Sequence, residues 1–213
     1  MPSKNSIKTY TEGGSYHIYN RGIDKRRIFE ESKDYEMFLH YLKIYLSPVD
    51  LLRQENPLLK QNLIKTNLSE QMDLLAYCLM SNHFHLLVKQ KTKDAITKLT
   101  RQLTTAYSMY FNKKYGRTGP LFGGRFKAAI IDDQEKLMYL SRYIHQNPRE
   151  KGVSPIDFPW SSLGNYIEKN TNSWLKPQTI LEYFSTYNNG LTYKKFIDDT
   201  NSSGPDIEDL ILE

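Results

Sequence analysis

The sequence is short of cysteine, of long apolar runs and, over one stretch, of acid. A single cysteine, Cys78, rules out an internal disulfide framework and suits a reducing cytoplasm. It lies inside an apolar, strand-like run, which fits an inert core thiol better than a nucleophile. With one cysteine and five scattered histidines, no four-ligand structural zinc cluster is expected. No run is long enough to span a membrane, and the polar opening MPSKNSIKTY lacks the apolar stretch of a signal peptide. From Ala95 to Ile131 there is no acidic residue but seven bases: Lys98, Arg101, Lys113, Lys114, Arg117, Arg125 and Lys127. From Asp198 onward the balance reverses, with six acids and no base. Without that tail the net charge rises from +5 to +11. A basic body with a short acidic end suits a polyanion binder, and composition alone allows a solvated basic surface equally well. The sixteen tyrosines, several beside these bases, suit stacking on single-stranded nucleic acid, although most should be packing residues.

Periodicity gives the element order. Ser15 to Asn20 alternates and is aromatic or β-branched, predicting a strand that ends near Arg21-Gly22. Ser32 reads as a helix N-cap, with Tyr35, Phe38, Leu39, Leu42 and Leu46 at helical spacing and Pro48 as the stop. Residues 48–71 read as an irregular surface insertion with a helical turn around Leu63. Met72–Met80 and His83–Lys89 form a hairpin across Ser81-Asn82. Asp94 caps a helix carrying Ile96, Leu99, Leu103, Tyr107 and Tyr110. The glycine-rich stretch from Tyr115 to Gly124 is a loop before a fourth strand, Phe126–Ile131. Asp132 or Asp133 caps a last helix, with Leu137, Leu140 and Ile144 as its buried stripe, which halts before Pro148. The order predicts an α+β, ferredoxin-like split βαβ fold: a four-stranded antiparallel sheet with helices on one face. Residues 1–150 form this unit and 151–213 a C-terminal helical appendage, with Asn201–Glu213 fraying or weakly docked.

The hairpin reads YCLMSNHFHLLV. Strand alternation puts His83, His85 and Leu87 on one face, and Phe84, Leu86 and Val88 on the other. The apolar set should pack under the helices, leaving the histidines on an open face. Two imidazoles side by side can chelate a divalent metal, but half-buried strands also hold histidines for ordinary reasons. In the last helix Tyr139, Tyr143 and Asn147 recur every four residues and share a side. An Asn147 carbonyl oxygen with two imidazoles suits magnesium or manganese, and a neighbouring tyrosine hydroxyl could attack a phosphodiester.

The segments YHIYNRG, YCLMSNHFHLLV, GPLFGGRFKAAIID, YLSRYIHQNP and FPWSS, in that order over about residues 14–166, together resemble the single-tyrosine HUH transposases. The chain looks most like the branch of REP-associated tyrosine transposases. The resemblance implies metal ligands at His83 and His85, a nucleophile at Tyr143 and a third ligand at Asn147. His145 is the less favoured ligand, because it points about 200° from Tyr143 on an ideal helix. The implied activity is divalent-metal-dependent nicking and rejoining of single-stranded DNA through a 5′-phosphotyrosine link, with hairpin recognition by basic surfaces. The alternative is a domesticated relative that holds hairpins without cutting. Ser81 departs from the proline that usually precedes the Asn-His of this turn. Candidate DNA contacts are the seven bases above together with Arg21, Lys25, Arg26 and Arg27, and Arg142 either faces the phosphate or pairs on its own helix. Monomer and homodimer both remain open, although the short link into the Tyr143 helix favours a site within one chain.

Overall fold

The computed structural model describes residues 10–187, 190–199 and 204–211. Four strands, β1 (Ser15–Arg21), β2 (Met72–Met80), β3 (His83–Gln90) and β4 (Lys127–Ile131), form one sheet in the order β2-β3-β1-β4. All three pairings are antiparallel, as the split βαβ pattern requires. Helices α1 (Ser32–Leu46) and α4 (Ala95–Lys114) cross one face. There Phe38, Leu42, Leu99, Leu103 and Tyr107 bury Ile18, Leu79, Phe84, Leu86 and Val88.

The second face is not open, contrary to expectation. Helix α5 (Gln134–Gln146) lies across it, joined by α6 (Leu163–Tyr166), α7 (Gln178–Tyr187) and α8 (Tyr193–Asp198). Leu137, Leu140, Ile144, Phe184, Phe196 and Ile197 cluster with Leu87, Cys78, Ala129 and Ile131. Strand alternation assigned the two faces correctly, but it carries no signal for what later segments place over each. The appendage also closes the β2 edge: Leu79 and Lys176 donate backbone N–H groups to Trp160 and Leu74 carbonyls. Within the tail, residues 204–211 dock, with Leu210 buried in the α5 cluster. Residues 201–203 and 212–213, also expected to fray, lie outside the described residues.

The insertion is more regular than the sequence suggests. It holds α2 (Val49–Glu55) and α3 (Gln61–Lys65), the latter over the predicted turn at Leu63. Pro48 ends α1 and also stands at the N-cap of α2, which periodicity alone does not reveal. Asn67 then donates to the Ile44 and Ser47 carbonyls, both at 2.8 Å, satisfying the end of α1. The α1 cap is Glu31 rather than Ser32, paired reciprocally with Asp34. At α5 the cap is Asp133, which accepts from the Lys136 N–H at 3.0 Å.

Candidate active site

Central strand β3 carries His83 and His85 toward α5, with ring centroids 4.9 Å apart and planes at 89°. They are 4% and 0% exposed, so they sit in a covered pocket rather than on an open sheet. Burial lowers both from the usual imidazole value, His83 to about 4 and His85 well below it, which keeps the rings neutral at pH 7.

The hydrogen bonds then fix where each lone pair lies. Asn82 Nδ2 donates to the Lys25 carbonyl at 3.2 Å, so its Oδ1, 2.6 Å from His83 Nδ1, accepts from that nitrogen. The free lone pair of His83 is therefore on Nε2. Asn147, at the end of α5, donates from Nδ2 to the Tyr143 carbonyl at 3.0 Å. That turns its Oδ1 toward His83 Nε2, 3.5 Å away. Two acceptors so placed do not bond to each other. His85 Nε2 is buried and has no hydrogen-bond partner among the described residues. An orphan of this kind costs about 1–3 kcal/mol.

Two imidazole nitrogens and an amide oxygen, with no proton among them, match the donor chemistry of a divalent cation with further positions left for outside oxygens. Among the described residues no three His, Cys, Asp or Glu side chains form a group that could hold a metal ion, and the third donor here is an amide. The Tyr143 ring stands edge-on to His85 at 5.7 Å, half-buried beside the same pocket. All four groups come from one chain.

Three neighbours on α5 have other tasks. His145, fully buried and held at about 3 by burial, bonds Tyr193 Oη at 2.9 Å and Ser162 Oγ at 2.8 Å. Arg142 lies over the Phe196 ring at 4.8 Å, so it serves the appendage rather than a phosphate. Tyr139 packs edge-on against Phe196. The residue that the sequence reading missed is His17 of β1. Its Nε2 lies 2.9 Å from His85 Nδ1 and its Nδ1 is 2.5 Å from the Leu210 carbonyl. Alternation along YHIYNRG puts His17, Tyr19 and Arg21 on one side, and that was the available signal.

The basic candidates divide into groups. Arg21, Lys25, Arg125 and Lys127 line a depression of about 280 Å³ with Tyr19, at the end of β1 where Arg21 pairs with His83. Gly22 permits this bend: a Cβ there would meet the Arg26 carbonyl oxygen at 2.3 Å. Arg101 and Arg125 flank a groove of about 980 Å³ between α4 and the glycine-rich loop, lined by Thr97, Thr104, Ser108, Phe122 and Phe126. Lys113 is exposed near the end of α4, and Arg117 half-buried just beyond it. Lys98 bonds Gln71 at 3.1 Å, and Arg27 pairs with Glu30 at 3.4 Å. Lys114 leaves the patch altogether. It is held by the fully buried Asp34 at 2.5 Å and by Glu31 at 2.7 Å, where it ties α4 to α1.

A comparison with curated proteins found no match. Among solved structures, a REP-associated tyrosine transposase bound to a REP hairpin is similar in fold, with a TM-score of 0.52 at 14% identity over 83% of this chain and 98% of that one. The family model described as "Transposase IS200 like" matches residues 12–147, which span every strand, His83, His85, Tyr143 and Asn147. The chain belongs to the IS200-like transposase family.

Proposed function

We propose that this protein is a divalent-metal-dependent single-stranded DNA endonuclease and strand transferase that works in the cytoplasm on hairpin-bearing DNA. The observation that carries the reading is that His83 Nε2 and Asn147 Oδ1 face each other at 3.5 Å, while the adjoining His85 ring has an unpartnered Nε2 and the Tyr143 ring edge-on to it. His83, His85 and Asn147 would hold magnesium or manganese. The ion, when bound, would neutralise charge on a non-bridging phosphate oxygen and orient the phosphate.

The rest falls to the chain. Tyr143 Oη attacks the phosphorus and forms a P–O bond while the bond to the 3′ oxygen breaks. The phenol proton is lost to water and the 3′ oxygen gains one. The products are a 5′-phosphotyrosine and a free 3′-OH. Attack by another 3′-OH reverses the step and joins new strands, since the ester keeps the phosphodiester energy. Helix α5 supplies positioning, because its packing onto the sheet fixes Tyr143 and Asn147 one turn apart. The depression at Arg21, Lys25, Arg125 and Lys127 offers cations to the strand entering the pocket. The threonine- and arginine-lined groove, with Phe122 and Phe126, suits phosphates and stacked bases. The hairpin bound to the structurally similar transposase supports a hairpin as the substrate.

The test incubates the protein with labelled single-stranded hairpin DNA and Mn²⁺ or Mg²⁺. A covalent adduct is expected that disappears in Tyr143→Phe. Tight hairpin binding with no adduct in either metal would replace this reading with that of a non-cleaving hairpin binder.

A further inference from the structure

Both nitrogens of His17 are occupied, and the order of donors and acceptors around it runs one way only. The Leu210 carbonyl can only accept, so His17 Nδ1 must carry a proton to fill that 2.5 Å contact. Neutral His17 then has its lone pair on Nε2, 2.9 Å from His85 Nδ1. His85 Nδ1 must therefore be the donor, which leaves the His85 lone pair on Nε2. That is the one nitrogen of the His17–His85 pair with no hydrogen-bond partner among the described residues. The two ring planes are only 16° apart, with centroids at 5.1 Å, as an in-plane N–H···N bond requires, so His17 constrains the orientation of His85 as well as its tautomer.

We infer that His17 is a positioning residue: through the chain Leu210 C=O, His17, His85 it holds His85 in the Nδ1–H tautomer with Nε2 aimed at the metal position. The inference rests on the proposed metal site for its purpose, but the relay itself is a property of the metal-free protein. It also makes the docked segment 204–211 part of the site's framework, because the terminal acceptor of the relay is a backbone carbonyl of that segment. His83 is held in the same sense by a different device, the Asn82 amide anchored on Lys25. The two ligands thus receive independent supports, one from the β1–α1 turn and one from the far end of the chain. Such outer partners of metal-binding histidines typically change metal affinity by about 10–100-fold.

The experiment uses full-length protein, ¹⁵N-labelled at histidine, without metal at pH 7.5. Long-range ¹H–¹⁵N correlation should show His17 and His85 both protonated at Nδ1. An Nε2–H tautomer at His85 in the wild-type protein overturns the inference without any variant. In His17→Leu the Nδ1–H preference of His85 should be lost and Mn²⁺ affinity, measured by titration, should fall about 10–100-fold. His17→Gln, whose amide oxygen can still accept from His85 Nδ1, should recover most of both. Unchanged tautomer and unchanged Mn²⁺ affinity in a folded His17→Leu protein also overturn it. If the tautomers are as stated and Mn²⁺ binds but no DNA adduct forms, the relay stands and the proposed catalysis falls.

Discussion

The two faces of the sheet are built from the same strands by different rules. Toward α1 and α4, strands β1 and β3 offer Ile18, Phe84, Leu86 and Val88, and the helices answer with Phe38, Leu42, Leu99 and Leu103. Toward α5, β1 and β3 offer His17, His83 and His85 before Leu87, and α5 answers with His145 and Asn147 among its apolar residues. The first face gains stability from transfer of apolar surface and from close packing. The second face also buries an apolar cluster but carries a seam of polar groups whose desolvation must be met bond by bond. Nearly all of that seam is satisfied within the chain. Tyr193 Oη bridges Ser141 and His145, and Ser162 accepts from the Tyr77 N–H at 2.8 Å. The exceptions are His85 Nε2, which has no hydrogen-bond partner among the described residues, and His83 Nε2, which faces another acceptor. A fold that satisfies the other buried imidazole nitrogens of this face leaves two unspent lone pairs, on His83 and His85, on the face that costs more to build.

The sharpest break of the comparison is at β3, where neighbouring residues serve opposite faces. The double variant His83→Ala, His85→Ala should abolish metal-dependent DNA cleavage while leaving most hairpin binding of the folded protein intact. Cleavage assays beside thermal melts check this, and residual cutting would remove the histidines from the chemistry. Phe84→Ala, between them, should do the reverse. Emptying a fully buried phenylalanine site costs about 3–5 kcal/mol. In a chain of this size that lowers the melting temperature by roughly 10 °C. The folded fraction should keep its metal affinity.

Much of this division is legible in the sequence. The period of two through His83–Val88 separates the faces without any structure, and the four-residue spacing of Tyr143 and Asn147 puts them on one side of α5. The element order suffices for the split βαβ fold. What is not legible is whatever depends on distant chain meeting the sheet. Nothing in Leu210 announces that its carbonyl will receive His17 across 193 residues. Lys114 belongs by sequence to a basic run, yet a buried aspartate 80 residues earlier holds it. Arg142 sits beside the tyrosine in sequence but turns to a phenylalanine of α8. Side-chain charge predicts a solvated or DNA-facing role by default, and only tertiary packing decides which bases are already paired.

Acid should separate the faces in a second way. Burial lowers His17 and His83 to about 4 and His145 to about 3, against an unfolded value near 6.5. Each must gain a proton on unfolding, so their contribution is complete above pH 6.5 and drains away as the pH falls toward 4 and 3. On the first face Asp34 is the titrating group. Burial alone would raise it, but Lys114, Tyr115 and the Glu30 and Glu31 amides outweigh that and hold it below the usual carboxylate range. Its contribution is complete above its unfolded value of about 3.9 and is lost below it, at lower pH than most of the histidine loss. Urea melts from pH 8 to 3 should therefore show stability falling first through the histidine range. His145→Gln should reduce the slope there by about one proton, and Asp34→Asn should remove only the steeper loss at the acid end. A single transition unaffected by His145→Gln would mean that the second face does not respond to acid as its burial implies.

The smallest effect concerns the surface outside both cores. Arg101 borders the groove between α4 and the glycine-rich loop, Arg21 and Lys127 border the depression at the end of β1, and Arg125 lines both. If both regions track one DNA molecule, Arg101→Ala should weaken hairpin binding a few-fold and lower the slope of log affinity against log salt by about one, with little change in cleavage once DNA is saturating. Arg21→Ala should produce a similar salt effect but also slow adduct formation at saturating DNA, because Arg21 is paired in register with His83 at the mouth of the pocket. Fluorescence anisotropy over a salt series, with single-turnover adduct formation on the same variants, separates the two. Equal slowing by both would mean that groove and pocket hold the DNA as one unit. No salt effect at Arg101 would confine binding to the β1 end of the sheet.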